Sequence, residues 1–254
     1  MKKLLSVFLL IFFLISALAS GYFIKNNSNS SGAPPYQVSN DQLRFDINDY
    51  STFVNWKRPD GPARVGLQVG HWKTEEAPDE MERLRENSGA SGGGKVEWEV
   101  NMGIAQETAR ILNEEGIIVD ILPTTIPTDY FADVFISIHA DGSEDYSKSG
   151  FKAAASWQDM SGKAPKLLSE IEKSYQNSTL LSKDPNVTRN MRGYYAFRWW
   201  RFEHTIHPMT TAIILETGFL TSSLDREIIV NQPELSAQGI ANGVIEYLTS
   251  EELI

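Results

Sequence analysis

The sequence predicts an α/β fold, a twisted, mostly parallel mixed sheet flanked by helices on both faces. Short and almost continuously apolar runs such as Val134–Ile138 are typical of strands that are buried on both faces. These runs alternate along the chain with segments whose apolar residues recur at helical spacing. The chain has 254 residues, enough for a single domain with a substantial core once the amino terminus is set aside.

The predicted elements follow one another in strand and helix order. The expected strands are Arg64–Gly70, Ile117–Leu122, Asp133–Asp141, Phe151–Ser156 and Thr211–Leu215. The expected helices are Trp98–Glu115, Pro165–Gln176 and Pro233–Leu248. Gly116 ends the first helix, because glycine readily adopts the left-handed conformation of a helix cap.

Residues 1–24 are an export sequence rather than a part of the fold. Two lysines precede an apolar segment, and Ala17–Ala19 fits the small-residue pattern of a cleavage site. Apolar character continues to Ile24, almost the length of a membrane span, so residues 4–24 act as an anchor if they are retained. The remainder of the chain is expected to be secreted or extracytoplasmic.

Residues 25–61 are expected to form a flexible linker and an irregular lead-in, and residues 62–249 the folded domain. Within that domain, Lys73–Lys95 is polar and rich in glycine, and too long for an ordinary connection between a strand and a helix. We expect it to be a functional lid or disordered, with a short helix around Asp79–Glu86.

Charge and composition exclude several functions. The formal net charge of −10 argues against a nucleic-acid binder, since binding to phosphates depends on clustered lysine and arginine. The chain has no cysteine, so disulfides, lipid attachment through cysteine and thiolate metal sites are absent. Any metal ion must be held by histidine, aspartate or glutamate.

Four side chains in separate segments carry the candidate chemistry. His71, His139 and Glu216 each follow a predicted strand, and Glu97 begins a helix. Ligands of open α/β sheets bind beyond the carboxyl ends of the strands, where these residues would meet. Each also has a simpler explanation: either histidine can be structural, and an acidic residue is favoured in a first helical turn.

Two imidazoles and one carboxylate make a catalytic zinc site in which the fourth position is open to water. Zinc lowers the pKa of such a water to about 7, and a nearby carboxylate can take its proton. The sequence therefore predicts one zinc ion bound by His71, Glu97 and His139, with Glu216 as the catalytic carboxylate.

The stretch Thr188–His207 mixes aromatic and basic residues. We interpret it as the wall of a substrate groove, with Arg189, Arg192 and Arg198 as candidate contacts, because aromatic faces and arginines suit sugars and acidic peptides. The alternative is a partly buried edge of the domain. His204 and His207 are interpreted as structural or groove residues rather than metal ligands.

Four motifs in order along the chain resemble the zinc-dependent N-acetylmuramoyl-L-alanine amidases, the amidase-3 family of cell-wall hydrolases. They are VGH (69–71), EWEVNMGIAQETARIL (97–112), ADVFISIHAD (132–141) and AIILETGFL (212–220), within a resemblance that spans roughly residues 62–249. The resemblance implies that His71, Glu97 and His139 bind zinc and that Glu216 is catalytic. It also implies a mixed sheet flanked by helices, and hydrolysis of the amide between N-acetylmuramic acid and L-alanine in peptidoglycan.

The sequence departs from the family pattern beside two of these residues. The family usually has aspartate and proline before the GH step, where this chain has Gln68 and Val69, and asparagine where it has Asp141. These differences predict an altered mouth of the site with its ligands intact. Glu99 is the rival of Glu97, which we prefer because its spacing to Asn101-Met102 matches the family.

The leading hypothesis is therefore an exported zinc amidase that acts on peptidoglycan as a monomer, with no nucleic-acid partner. One alternative is a catalytically inactive wall-binding or regulatory module on the same fold. Another is a zinc hydrolase that acts on a different amide.

Overall fold

The computed structural model describes Phe53 and residues 55–254, which contain a five-stranded sheet in the order β4-β1-β5-β7-β6. Its strands are β1 (Arg64–Val69), β4 (Ile118–Leu122), β5 (Val134–Asp141), β6 (Lys152–Ala155) and β7 (Thr211–Phe219). β1 pairs in parallel with β4 and β5, and β5 pairs in parallel with β7. β6 alone is antiparallel, against β7. The predicted mixed, mostly parallel sheet is confirmed.

Three long helices cover one face of this sheet: α1 (Glu97–Glu114), α2 (Ala164–Thr179) and α5 (Pro233–Ser250). They pack together over the inward-facing apolar side chains of β1, β5 and β7. Gly116 follows α1 with a φ of 78°, the left-handed conformation expected of the residue that ends this helix.

The opposite face is covered mainly by irregular segments. A second apolar cluster there includes Tyr130, Phe135 and Phe197. This cluster is covered by residues 124–132 and 187–206. The regular elements in these two segments are the short helix α3 (Arg189–Arg192) and a turn of 3-10 helix, Tyr195–Phe197. The two faces are therefore covered unequally, by long helices on one face and by short, irregular segments on the other.

The loop after β1 is ordered in this structure rather than irregular throughout. It contains 3-10 helices at Thr74–Glu76 and Asp79–Leu84, the second at the position predicted for a short helix. A hairpin of β2 (Ser91–Gly92) and β3 (Lys95–Val96) follows. Gly93 and Gly94, both with positive φ, form its two-residue turn, a conformation that glycine adopts without strain. The hairpin leads directly into α1.

The carboxyl end of β7 is a correction to the sequence prediction. The strand was expected to stop at Leu215, but it continues through Glu216 to Phe219. Glu216 keeps its backbone pairing with both neighbours, His139 of β5 and Lys152 of β6, so a polar residue does not end the strand. The following helix α4 (Ser223–Ile229) was not predicted.

The buried carboxylate of Asp225 connects this helix to the end of β7. It accepts a hydrogen bond from the backbone N–H of Phe219 at 2.7 Å and from that of Gly150 at 3.0 Å. Ser222 caps the helix by accepting from the Asp225 N–H. These hydrogen bonds fix the position of the chain that follows β7.

In the part of the chain that the structure describes, no helix is long and apolar enough to cross a membrane. The predicted export sequence, residues 1–24, and most of the predicted linker and lead-in, residues 25–61, lie outside the described residues.

Candidate metal centre and active site

Glu97 is the first residue of α1 and lies at the edge of the sheet, with only 3% of its surface exposed. One carboxylate oxygen, Oε2, accepts a hydrogen bond of 2.6 Å from the backbone N–H of Ala90. The other, Oε1, accepts from the N–H of Ala140 at 3.1 Å. These bonds orient the carboxylate toward the ends of β1 and β5. The rival residue, Glu99, is exposed.

His139 lies near the end of β5 and contacts the same carboxylate oxygen. Its Nδ1 is 2.9 Å from Glu97 Oε1, and its Nε2 is 3.1 Å from the hydroxyl of Tyr194. Burial lowers the pKa of His139, but Tyr194 and the carboxylates of Glu97 and Glu216 outweigh burial and raise it above its ordinary value. The pKa of Glu97 is lowered, although burial opposes this, because His139 donates to it.

His71 follows β1 and Gly70 in a left-handed backbone conformation, with a φ of 63°. Non-glycine residues adopt this conformation infrequently, and it is common at functional sites. The ring Nδ1 donates to the carbonyl oxygen of Asn87 at 2.9 Å, which leaves Nε2 facing Glu97 Oε1 at 3.5 Å. Burial lowers the pKa of His71, so this imidazole is neutral at pH 7 and its free nitrogen can bind a metal.

Together, His71, Glu97 and His139 form a cluster whose ligand atoms lie within 4.8 Å of one another. The two imidazole rings are 5.0 Å apart and nearly perpendicular. Two nitrogens and one carboxylate oxygen are the donors of a catalytic zinc site, so the residues present fit that ion. Asn87 additionally holds His71 through the ring nitrogen that is not needed for the metal.

Two glycines make room for the cluster. A Cβ added at Gly70 would overlap the ring of His139. At Gly89, which has a φ of 73°, an added Cβ would overlap both the Glu97 carboxylate and the His71 ring. The backbone therefore approaches these side chains more closely than any other residue type allows.

Glu216 lies on β7 directly beside His139 in the sheet, and it is partly accessible from the cavity. Burial raises the pKa of Glu216 to about 7. The negative charges of Glu97 and Asp141 raise it further, whereas His139 and Lys152 lower it. This carboxyl can therefore both accept and donate a proton near neutral pH.

Asp141, where the family usually has asparagine, forms an ion pair with the buried Lys152 of β6. The ammonium group of Lys152 also lies 3.6 Å from a carboxylate oxygen of Asp184. Lys152 faces Glu216 across the strand pair and is one of the charges that lower its pKa. The additional carboxylate of Asp141 is thus balanced by a lysine beside it.

Gln68, where the family usually has aspartate, holds His139 through Tyr194. The Tyr194 hydroxyl contacts His139 Nε2 and donates to Gln68 Oε1 at 3.0 Å. Ser137 donates to the same oxygen at 2.7 Å, and the Gln68 amide group donates to the carbonyl oxygen of Thr124 at 2.7 Å. A neutral amide therefore occupies this position and fixes the orientation of the ring.

Sequence reasoning did not identify Gln68 or Tyr194 as part of the site. A polar residue between Leu67 and Val69 in the strand RVGLQV was a usable signal for Gln68, because buried polar groups need partners. Tyr194 lies 55 residues from His139, and no local pattern predicts that contact.

A cavity of about 720 Å³ opens onto the cluster, and His71, His139 and Glu216 form part of its lining. One wall is the 3-10 helix Asp79–Leu84, which carries three acidic residues, and the other comes from residues 188–202. The two sides are joined by Glu80, whose carboxylate accepts from the N–H of Glu203 at 2.9 Å and contacts His204 Nδ1 at 2.8 Å.

The three arginines predicted for the groove are placed differently. Arg198 lines the large cavity. Arg192 instead lines a smaller adjoining cavity of about 280 Å³, which Arg198 also lines. Arg189 lines neither cavity. Its guanidinium lies 5.9 Å from the centre of the Trp157 ring. Arg201, which the sequence did not single out, lines both cavities.

The two remaining histidines lie outside the cluster. His204 holds Glu80 at the rim of the large cavity. His207 is buried between the rings of Trp56 and Phe131, at centroid distances of 5.6 and 5.8 Å, and its Nδ1 accepts from the N–H of Met209.

Burial lowers the pKa of His207 to about 4, which makes a prediction for stability. Because the folded pKa lies below the ordinary 6.5, the stabilisation is fully present above pH 6.5 and is lost as the pH falls through 4. From pH 7.5 to 5 this group should lower the free energy of unfolding by about 2 kcal/mol, since one pKa unit is worth about 1.36 kcal/mol.

Urea unfolding of the metal-free protein at both pH values measures this loss. The variant His207→Phe should show a pH dependence smaller by this amount, whereas the matched variant His204→Phe should behave as the wild type. An equal pH dependence in His207→Phe and the wild type would contradict the assignment.

An α/β fold that carries a His-Glu-His donor set beside a partly buried carboxylate, at the carboxyl edge of its parallel strands, is typical of metal-dependent hydrolases. The family model described as N-acetylmuramoyl-L-alanine amidase matches residues 65–246. The chain belongs to this family, and its function is that of a peptidoglycan amidase. The activity and the family expected from the sequence motifs are confirmed.

Solved structures share the fold. The catalytic domain of the amidase CwlV from Bacillus (Paenibacillus) polymyxa var. colistinus is 21% identical, with a TM-score of 0.51 over 74% of this chain and 98% of that one. An N-acetylmuramoyl-L-alanine amidase from Clostridium difficile 630 is 18% identical, with a TM-score of 0.53 over 76% of this chain and 100% of that one.

The CwlD amidase from Clostridioides difficile, solved in complex with the GerS lipoprotein, is 14% identical, with a TM-score of 0.53 over 74% of this chain and 99% of that one. At these identities the likeness establishes the fold. No curated protein sequence matches the chain.

Proposed function

We propose that this protein is an exported, zinc-dependent amidase that binds one zinc ion through His71, Glu97 and His139 and uses Glu216 as its catalytic carboxyl. The observation that carries the proposal is the convergence of two histidines and one glutamate within 4.8 Å, at the floor of a cavity that Glu216 also lines. Export rests on residues 1–24, which either are cleaved or hold the protein in the membrane through residues 4–24.

The ligand atoms follow from the hydrogen bonds. His71 donates through Nδ1 to a carbonyl, so Nε2 is its free donor atom. His139 contacts Tyr194 through Nε2, so Nδ1, which donates to Glu97 Oε1, would release its proton to bind the metal. A zinc ion held by these atoms would supply Lewis acidity that polarises the scissile carbonyl and makes water a better nucleophile.

Glu216 performs the proton transfers. As a carboxylate it takes a proton from the water that attacks the lactyl carbonyl of N-acetylmuramic acid. As a carboxylic acid it then gives a proton to the nitrogen of L-alanine, and the C–N bond breaks. The products are the free lactyl carboxylate and a stem peptide with a new amino terminus. A pKa of about 7 suits both steps, because neither protonation state is rare at neutral pH.

Digestion of purified peptidoglycan tests the proposal. The zinc-loaded protein should release stem peptides that begin with a free L-alanine amine and leave glycan strands with free lactyl carboxyls, and a chelator should stop the release. Other products by mass analysis, such as peptides cut between their own residues, would identify a hydrolase of another amide. Full activity of the metal-free protein would exclude the zinc role.

The net charge of −10 argues against a nucleic-acid partner, and the large cavity suits a peptidoglycan substrate. We propose that it acts as a monomer on the wall, with residues 25–61 as the spacer between the export sequence and the domain of residues 62–249.

A further inference from the structure

Three arginines around the smaller cavity form no ion pair with a carboxylate in the part of the chain that the structure describes. Arg58, Arg64, Arg85 and Arg110 each form an ion pair with an aspartate or a glutamate. Among the described residues, Arg192, Arg198 and Arg201 have no carboxylate oxygen within 4.0 Å. In a chain of net charge −10, where carboxylates outnumber cations, three adjacent unpaired guanidinium groups form a local positive site.

These arginines surround a defined recess. Arg192, Arg198 and Arg201 line the smaller cavity of about 280 Å³ together with the indole rings of Trp157 and Trp200. We call this recess the arginine pocket. The pocket opens to solvent, and 57% of the surface of Trp157 and 38% of that of Trp200 are exposed. Both side chains are therefore available for contact with a ligand.

The arginine pocket adjoins the active-site cavity, because Gly193, Arg198 and Arg201 line both. Gly193 permits this arrangement. A Cβ added there would lie 2.8 Å from Nη2 of Arg198, so glycine lets this guanidinium lie close to the backbone between the two sets of lining residues. The pocket is therefore near enough for a group on a substrate bound beside Glu216 to contact Arg198.

The backbone that carries the arginines is fixed. Thr188 caps α3 by accepting from the N–H of Met191, and the side chains of Met191, Ala196 and Phe197 are buried in the second apolar cluster. The guanidinium groups thus extend from a rigid support, which lowers the entropy lost when they bind a ligand.

We propose that the arginine pocket binds the free α-carboxylate of the glutamate in the stem peptide, and that the enzyme consequently prefers stem peptides in which this carboxyl is not amidated. A guanidinium group can donate two parallel hydrogen bonds to one carboxylate. Such charge-assisted, paired hydrogen bonds are stronger than hydrogen bonds between neutral groups. This glutamate is linked through its side-chain carboxyl and follows the L-alanine at the scissile bond, so its α-carboxyl lies close to the reacting amide. The inference rests on the proposed function.

The test uses two muramoyl peptides that differ only at this group, one with a free carboxylate and one with a carboxamide. The wild type should hydrolyse the acidic peptide with a kcat/KM about tenfold higher, mainly through a lower KM, because a hydrogen bond to a charged group contributes of this order at a partly exposed site. In Arg198→Gln the ratio of the two kcat/KM values should fall close to one.

Further variants separate recognition from structure. Arg198→Lys should retain part of the preference, because it keeps the charge and loses the paired geometry. Arg201→Gln should also lower the ratio of the two kcat/KM values. This second variant tests the pocket even if Arg198→Gln does not fold. Arg110→Gln, whose guanidinium pairs with Glu107 and Glu114 on the exposed side of α1, should keep the wild-type ratio.

Equilibrium binding of both peptides to the Glu216→Gln protein gives a readout that does not depend on turnover. Tighter binding of the acidic peptide that requires Arg198 supports the pocket even if no hydrolysis occurs, and in that case only the proposed function fails. A wild type that cleaves both peptides equally well, or an Arg198→Gln variant that retains the full preference, overturns the inference and leaves the amidase function standing. Glycerol 3-phosphate that binds in an Arg198-dependent manner more tightly than the acidic peptide would also overturn it, by assigning the pocket to phosphodiesters of the wall.

Discussion

Replacing Glu216 by glutamine should reduce kcat on peptidoglycan by about 10²- to 10⁴-fold, the contribution of a general acid and base. Glutamine has nearly the same shape as glutamate, but its amide cannot accept a proton from water or donate one to a leaving amine. Because Glu216 is not in the cluster that would hold the metal, zinc content should stay at one ion per chain. Rate and metal content are measured on the same preparation.

The matched control is Glu246→Gln, which makes the same chemical change on the exposed side of α5 and should leave the rate unaltered. A Glu216→Gln variant that keeps the full wild-type rate would contradict the catalytic role of Glu216. A variant that loses both rate and zinc would place Glu216 among the ligands instead.

The central strands of the sheet were predictable because they are buried on both faces. A strand such as β5 has no solvent side, so apolar residues occupy consecutive positions and mark it in the sequence. The end of β7 was not predictable in the same way. Glu216 breaks the apolar run, yet its backbone still pairs with β5 and β6, and this depends on neighbours 64 to 77 residues away that a local pattern does not show.

The choice between Glu97 and Glu99 was also accessible from the sequence. Glu97, Val100, Asn101 and Ile104 are all buried, at the spacing of one helix face, whereas Glu99 points away from that face. The helical period therefore supports Glu97 independently of the family resemblance.

The contacts between the walls of the cavity, and the directions of their side chains, were beyond sequence reasoning. Glu80 meets His204 across 124 positions of the chain, and neither residue has a neighbouring pattern that indicates a partner. Arg189 and Arg198 lie in the same basic and aromatic stretch, and the sequence does not distinguish them. Only Arg198 of the two lines the cavities, because the four-residue helix and the 3-10 turn that carry them set the directions of their side chains. Side-chain direction in irregular segments depends on tertiary packing rather than on composition.

The departures from the family pattern are explained by partners that also lie far away in sequence. Asp141 introduces a negative charge beside Glu216, and Lys152 provides the opposite charge. Gln68 is satisfied on both ends of its amide, by Thr124 and by the hydroxyls of Ser137 and Tyr194. Each departure thus keeps the local balance of charge and hydrogen bonds, and the His71-Glu97-His139 cluster beside it is retained.

Replacing Glu97 by glutamine should abolish stable metal binding, with zinc affinity lower by at least about 100-fold. Loss of a residue that only supports a ligand already costs 10- to 100-fold, and Glu97 supplies the one negatively charged donor of the cluster. The readout is zinc retained after dialysis against a competing chelator. Glu99→Gln, the same change two residues away on the exposed side of α1, should retain zinc as the wild type does. If the two variants retained equal zinc, the donor set would not include Glu97, and the convergence of His71 and His139 on its Oε1 would have a structural role only.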